Sequence, residues 1–258
     1  MAHNSGVLFS VERNVARIIL ARPERCNALD TMAWSALAKV CSDIRARSDI
    51  RAVVITGSGE HFSAGADVRE LAEHIHDAAW MRNNQAEVGA ALDVFAALPQ
   101  PTIAVVHGCC FGGGIALAVA SDFRICTDDA RFAITPARLG LSYRLVDCLR
   151  VVDVFGSARA RELLLRAREV DGAMMLAWGA VNDCVAAAAM DACVNDWLND
   201  LCALSGVSQR AIKASLLKIR HGAGADDAES LSAFSDAFSQ PDFHEGARAF
   251  VEKRRPVF

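Results

Sequence analysis

The sequence predicts an α/β fold with mainly parallel strands. Two apolar runs, residues 53–57 and 103–106, have the continuous hydrophobicity of strands that are buried on both faces. Each run leads into a glycine-containing turn and then into a stretch of helical character. Strands that alternate with helices in this way are typical of parallel sheets. The 258 residues, of which 53% are hydrophobic, are enough for one large core.

Turn residues and helix-capping residues divide the first half of the chain into separate elements. Residues 7–20 are expected to form two strands around a turn at Arg13 and Asn14. Asp30 or Thr31 is expected to cap a helix. The apolar positions of that helix, which repeat at helical spacing, are Met32, Leu37, Val40 and Ile44. A strand at 53–57 then precedes a helix over 68–76 and a long helical segment, which ends at the Pro-Gln-Pro sequence 99–101.

The second half begins with another unit of the same kind and then changes character. A strand at 103–106, a glycine-led helix over 112–120 and a strand at 122–126 complete the repeated core. Beyond residue 153 the pattern is almost wholly helical, with helices expected over 158–165, 174–178, 185–204 and 209–219. No low-complexity linker interrupts the chain, so we expect one continuous domain. Its core spans residues 1–200 and its helical C-terminal region spans residues 201–258.

Two glycine turns are the strongest indications of function. Residues 112–114 are three glycines between an apolar strand and an apolar helix, and residues 62–67 end in Gly65, Ala66 and Asp67 before the next helix. Such turns expose backbone N–H groups, which bind negative charge. The glycines lack the Lys-Ser or Lys-Thr of a phosphate loop and the spacing of a dinucleotide site. Together they suggest a two-donor oxyanion hole, although each turn alone is also explained by close packing.

Four segments in order resemble the crotonase (enoyl-CoA hydratase/isomerase) superfamily. They are residues 22–29, residues 62–67, residues 107–122 with the three glycines, and residues 250–256. The resemblance covers nearly the whole chain and implies a ββα spiral core with a helical C-terminal trimerisation region. It also implies a coenzyme A thioester as substrate, no separate cofactor, and assembly as a homotrimer or a dimer of trimers.

The resemblance assigns roles to particular residues. The N–H groups of Ala66 and Gly113 match the two donors that hold a thioester oxygen as it takes enolate character. The residues that match substrate-binding or coenzyme A-binding positions are Arg25, Asn27, Ala28, Ala64, Asp67, Gly112, Phe250 and Lys253.

The sequence departs from the family at its acid and base positions. The two glutamates of hydratases correspond to Ala116 and Pro136, which cannot transfer a proton, so hydration by the usual route is excluded. A decarboxylase or double-bond isomerase, or a non-catalytic acyl-CoA binder, are the competing interpretations. Asp147 is a candidate base for isomerisation, or else a solvated or helix-capping residue.

Residues 134–143 resemble a crotonase subgroup that includes methylmalonyl-CoA decarboxylases, in which a tyrosine helps to orient the substrate carboxylate. The matching residue, Tyr143, is the only tyrosine in the sequence. Two interpretations of it stay open. Tyr143 either contacts the substrate carboxylate or forms part of the pocket wall, hydrogen-bonded to the backbone.

Composition excludes several other classes of function. A net charge of -4 with interspersed signs provides no basic surface for nucleic acid. The nine cysteines contain no Cys-x-x-Cys pair, which indicates free thiols in a reducing cytoplasm. No signal peptide or membrane span is expected, because the apolar run 103–120 contains His107 and four glycines. No metal site or redox cofactor is predicted.

Overall fold

The computed structural model describes residues 5–258 and contains two sheets. The strands are β1 (Val7–Glu12), β2 (Val15–Leu20), β3 (Ala52–Gly57), β4 (Thr102–Val106), β5 (Cys109–Phe111), β6 (Phe123–Thr127), β7 (Arg131–Ala133), β8 (Glu169–Asp171) and β9 (Asp183–Val185). Six of them form one sheet in the order β1-β2-β3-β4-β6-β9, and β5, β7 and β8 form the other. In the larger sheet only β1 pairs antiparallel, so the predicted α/β class with mainly parallel strands is confirmed.

Ten α-helices connect or follow these strands. They are α1 (Thr31–Arg45), α2 (Val68–Glu73), α3 (Ala78–Ala96), α4 (Gly113–Ala120), α5 (Leu145–Arg166), α6 (Gly172–Ala177), α7 (Met190–Cys202), α8 (Gly206–Arg220), α9 (Ala228–Ala237) and α10 (Pro241–Val251) within residues 5–258. The Asp30 side chain caps α1 by accepting a hydrogen bond from the Ala33 N–H at 2.8 Å. No helix in this described part of the chain is long and apolar enough to cross a membrane.

Apolar side chains cover the larger sheet on both faces. On one face, α1, α3 and α4 enclose the main core, whose bulkiest fully buried side chains include Trp34, Phe62, Phe95 and Phe132. On the other face, Val54 and Ile103 pack in a second core with Val194 of α7. Burial on both sides explains why these strands are apolar throughout rather than alternating.

Three details of the sequence-based prediction are wrong. The region beyond residue 153 is not almost wholly helical, because it contains β8 and β9. The helix predicted over 185–204 begins only at Met190, after a strand and a short 3-10 turn. Strands of three residues are too short to produce a recognisable hydrophobic period. Met32 of α1 is exposed, and Trp34 is buried there instead.

The C-terminal helices leave much apolar surface uncovered. Ile212, Leu216, Phe234 and Phe250 are at least 60% exposed. Helix α8 is tied to the core by Lys213, whose ammonium group contacts Asp122 and donates to the Gln100 carbonyl. The predicted division after residue 200 falls inside α7, and the helices of this C-terminal region begin at Gly206.

Candidate active site

The two glycine turns lie against each other, although they are distant in sequence. A Cβ atom on Gly65 would lie 2.8 Å from the Gly113 nitrogen, and one on Gly113 would lie 3.5 Å from the Ala66 nitrogen. Backbone hydrogen bonds join the turns: the Ser63 N–H donates to Cys109, and the Phe111 N–H donates to Ser63. The structure therefore brings the two predicted donors, Ala66 and Gly113, side by side.

Both donor groups are available to a ligand. Within residues 5–258, neither the Ala66 nor the Gly113 N–H donates to a protein acceptor. Gly113 is the first residue of α4, where N–H groups have no partner inside the helix. Ala66 and Gly113 are both half-buried, so the donors are accessible but partly shielded from water. Two such groups form an oxyanion hole when an oxygen lies between them.

Buried side chains stabilise the first glycine turn, residues 62–67. The Asn27 amide donates to the carbonyls of Ser58 and His61, at 2.8 and 2.6 Å, and its oxygen accepts from the Arg22 N–H at 2.9 Å. Asn27 is 1% exposed, and its oxygen also accepts a hydrogen bond from the Ser58 hydroxyl. The amide therefore has no donor or acceptor position left for another hydrogen bond. Its side chain therefore stabilises this loop and is not free to contact coenzyme A.

Asp67 is similarly engaged inside the protein. One carboxylate oxygen pairs with Arg22 at 3.0 Å, and the other accepts from the Arg69 N–H at the start of α2. The Arg22 guanidinium also donates to the Ala28 carbonyl at 2.7 Å. These bonds connect the 22–28 loop to the first turn, so Asp67 supports the turn rather than a ligand.

The second glycine turn, residues 112–114, depends on close packing and main-chain hydrogen bonds. Gly112 has φ +49°, a conformation that favours glycine, and its N–H donates to the Ala133 carbonyl at 2.9 Å. A Cβ on Gly113 would lie 2.9 Å from Cζ2 of the Trp34 indole. Trp34, which the sequence interpretation missed, therefore limits the space beside this donor. Its helical spacing with Leu37 and Cys41 is the signal that could have identified it.

Tyr143 reaches the second turn through its hydroxyl group. The phenol O–H donates to the Gly112 carbonyl at 2.5 Å. Burial raises the pKa of Tyr143, and nearby acidic groups add to the effect, so the phenol stays protonated. Of the two interpretations left open above, this geometry corresponds to the backbone-bonded one.

The two hydratase glutamate positions carry no acid in the structure either. Ala116 is buried within α4, and Pro136 begins a short 3-10 helix, Pro136–Arg138. Neither side chain donates or accepts a proton.

Asp147 lies in an ion-pair cluster between α3 and α5. It is 5% exposed and pairs with Arg144 at 2.8 Å and Arg150 at 2.7 Å, so the solvated alternative is wrong. Both arginines also bind Asp93. Burial raises the pKa of Asp93, but the hydrogen bonds from the two arginines lower it by more, so that its pKa is below the ordinary value. Both oxygens of Asp147 accept hydrogen bonds from these arginines, so neither is free to take a proton from a substrate.

The remaining predicted coenzyme A positions lie on the surface or in the first turn. Arg25 and Lys253 are exposed and form no side-chain hydrogen bond or ion pair within residues 5–258. Phe250 is 85% exposed near the end of α10. The backbone N–H of Ala64 donates to the Cys26 carbonyl at 2.8 Å, and Ala28 is buried in the 22–28 loop. Arg25 and Lys253 are thus free to meet an anionic group.

Comparisons with known proteins show what the whole chain is similar to. The family model for enoyl-CoA hydratase/isomerase matches residues 10–258. A mitochondrial Delta(3,5)-Delta(2,4)-dienoyl-CoA isomerase of Dictyostelium discoideum is 28% identical, over 95% of this chain and 87% of the relative. A carnitinyl-CoA dehydratase of Citrobacter koseri is 32% identical, over 95% and 94% of the two chains. The solved structure of an enoyl-CoA hydratase/carnithine racemase from Magnetospirillum magneticum superposes with a TM-score of 0.93 at 30% identity, covering 98% and 95% of the chains.

Proposed function

The chain belongs to the enoyl-CoA hydratase/isomerase family, and from this premise we propose that it stabilises the enolate of a coenzyme A thioester between the Ala66 and Gly113 N–H groups. The thioester oxygen gains negative charge as the enolate forms. Two preorganised donors stabilise that charge more than the neutral carbonyl, and each contributes about 3–4 kcal/mol.

One observation carries this proposal. The two unpaired N–H groups lie on adjoining turns that have no room for a side chain: a Cβ on Gly65 would lie 2.8 Å from the Gly113 nitrogen, and one on Gly113 would lie 2.9 Å from the Trp34 indole. Glycines that served only for packing would not require both N–H groups to remain without a protein acceptor.

The surroundings of the hole favour a reaction that needs no carboxylate base. Ala116 and Pro136 replace both acids, and Asp147 is held by two arginines. Decarboxylation of a malonyl-type thioester fits these conditions. The bond from Cα to the carboxylate breaks, carbon dioxide leaves, and the electron pair becomes the enolate held by the two N–H groups. The enolate then takes a proton at Cα from water.

A panel of thioesters analysed by mass spectrometry and chromatography tests the reaction class. Methylmalonyl-CoA, crotonyl-CoA and a 3,5-dienoyl-CoA are each incubated with the protein. Loss of carbon dioxide supports decarboxylation, addition of water supports a hydratase, and a change of retention at constant mass supports an isomerase. Tight binding without turnover of any thioester supports a non-catalytic binder and contradicts the proposed enzyme.

The exposed apolar residues of α8 to α10 support assembly of the chain with copies of itself. We propose a homotrimer or a dimer of trimers, in which Phe250 and Lys253 approach the coenzyme A of a neighbouring subunit. Native mass spectrometry tests the assembly, and a monomer at micromolar concentration would contradict it.

The free thiols support a cytoplasmic location. Burial raises the pKa of the Cys41 thiol to about 12, which leaves this thiol unreactive.

A further inference from the structure

The peptide group between Gly112 and Gly113 has two functional ends. Its N–H, on Gly113, is one of the two proposed oxyanion donors. Its carbonyl, on Gly112, accepts the Tyr143 hydroxyl at 2.5 Å and the Ala116 N–H at 3.1 Å. The tyrosine therefore contacts the same planar group that faces the substrate, but from the opposite side.

We infer that Tyr143 is a positioning residue, which orients and polarises the 112–113 peptide so that the Gly113 N–H becomes a stronger oxyanion donor. The inference rests on the proposed function and adds a residue to it. A hydrogen bond to a carbonyl draws electron density away from the peptide nitrogen, and bonds in such chains strengthen one another by about 10–30% each.

Orientation is the second part of the effect. Gly112 has φ +49° and ψ −112°, outside the helical and extended regions, so the direction of its peptide is not determined by regular secondary structure. Two donors on the Gly112 carbonyl hold that direction. One of them, the Ala116 N–H, belongs to α4 itself, and the other is the phenol of Tyr143.

The same geometry separates this role from direct contact with the substrate. A phenol has one proton to donate, and here the Gly112 carbonyl receives it. A substrate carboxylate bound to Tyr143 would have to break that bond. The two roles therefore predict different behaviour towards thioesters with and without a second carboxylate.

The test uses isotope-edited infrared spectroscopy of a bound, saturated thioester. Butyryl-CoA with a ¹³C-labelled thioester carbonyl is bound to the wild-type protein and to the Tyr143→Phe variant. Ser121→Ala is the matched control, since the Ser121 hydroxyl also donates to a backbone carbonyl of α4, that of Leu117 at 3.2 Å, but at the other end of the helix. Thermal unfolding of all three proteins is recorded in parallel.

We expect the carbonyl band to shift to lower frequency when butyryl-CoA binds to the wild type. In Tyr143→Phe the shift is expected to be smaller by about 10–30%, with little change in the dissociation constant, and Ser121→Ala is expected to match the wild type. An equal shift in Tyr143→Phe and the wild type would overturn the inference. Equal reductions in both variants would also overturn it, because the effect would then be structural.

Two further outcomes keep this inference distinct from the proposed function. Absence of any band shift in the wild type would refute the oxyanion hole itself, and the role of Tyr143 with it. Slower turnover of methylmalonyl-CoA by Tyr143→Phe, with an unchanged butyryl-CoA band, would place the hydroxyl on the substrate carboxylate and overturn the positioning role.

Discussion

The first and second glycine turns, residues 62–67 and 112–114, each leave one N–H group without a protein acceptor but are stabilised in different ways. The first turn, around Ala66, rests on a buried polar network of Asn27, Ser63 and the Arg22–Asp67 pair. The second turn, around Gly113, is held by main-chain bonds, the Trp34 indole and the Tyr143 hydroxyl.

This difference indicates which residues around each turn can be substituted without loss of the turn. The first turn requires several polar side chains at once, because each buried partner left unpaired costs about 1–3 kcal/mol. The second turn requires mainly the absence of side chains, so its geometry does not depend on the acids that are missing at positions 116 and 136. The proposed backbone donors therefore need no proton-transfer residue at these positions to keep their place.

The largest expected effect concerns the missing acids beside the second turn. Hydration of crotonyl-CoA should be at least about 10⁴-fold slower than in relatives that carry both glutamates, because each acid or base contributes about 10²–10⁴. A coupled assay of 3-hydroxybutyryl-CoA formation measures the rate. Ala116→Glu with Pro136→Glu would raise it if the backbone tolerates loss of the proline. Rapid hydration by the native protein would show that another residue transfers the proton.

The next largest effect is expected from Gly113→Val. The valine Cβ would meet Trp34 at 2.9 Å and obstruct the hole, so turnover should fall by about 10²–10³, the contribution of one donor. Circular dichroism and thermal unfolding check the fold, and Gly113→Ala, which has the same Cβ but lacks the two valine methyl groups, is the smaller change. Gly224→Val is the control, because a Cβ there meets no atom within 4 Å. Unchanged turnover in a folded Gly113 variant would remove this donor from the mechanism.

A moderate effect on stability is expected from the network under the first turn. Asn27→Ala leaves the Ser58 and His61 carbonyls and the Arg22 N–H without their partner, which should lower the free energy of unfolding by about 2–3 kcal/mol. Urea unfolding measures the change. Asn182→Ala, which removes one acceptor at an exposed position, is the matched control and should cost less than about 1 kcal/mol. Equal losses in the two variants would mean that the network does not depend on Asn27.

The smallest effect is a pH dependence at His107, whose ring donates to the Gly59 carbonyl at 3.1 Å. Burial lowers the pKa of His107, and the bond to Gly59 only partly offsets this. Below the ordinary histidine pKa of about 6.5 the unfolded chain binds a proton more readily than the folded one, so stability falls as pH decreases. His107→Gln should flatten that decline, whereas His221→Gln, at an exposed ring, should not. An unaltered slope in His107→Gln would contradict the assignment.

Much of the fold and half of the candidate site could be predicted from local patterns. Strands β2, β3 and β4 are recognisable because they are apolar throughout, and the two glycine turns because each precedes a helix. The particular donors, Ala66 and Gly113, follow from the family resemblance and stay a prediction. Local patterns do not predict the structural roles of Asn27 and Asp67, and for Tyr143 they leave two roles open. Each depends on a partner far along the chain, such as the Gly112 carbonyl for Tyr143.

The sequence by itself determined the alternation of strands and helices, the side-chain-free turns and the absence of acids at positions 116 and 136. These properties depend on the residue and its immediate neighbours. Only the tertiary structure decided that the two turns meet and that Arg144 and Arg150 pair with Asp147. It also decided that the Tyr143 hydroxyl donates its hydrogen bond to the backbone. Contacts of this kind arise when the core packs, and packing selects among partners that no local pattern distinguishes.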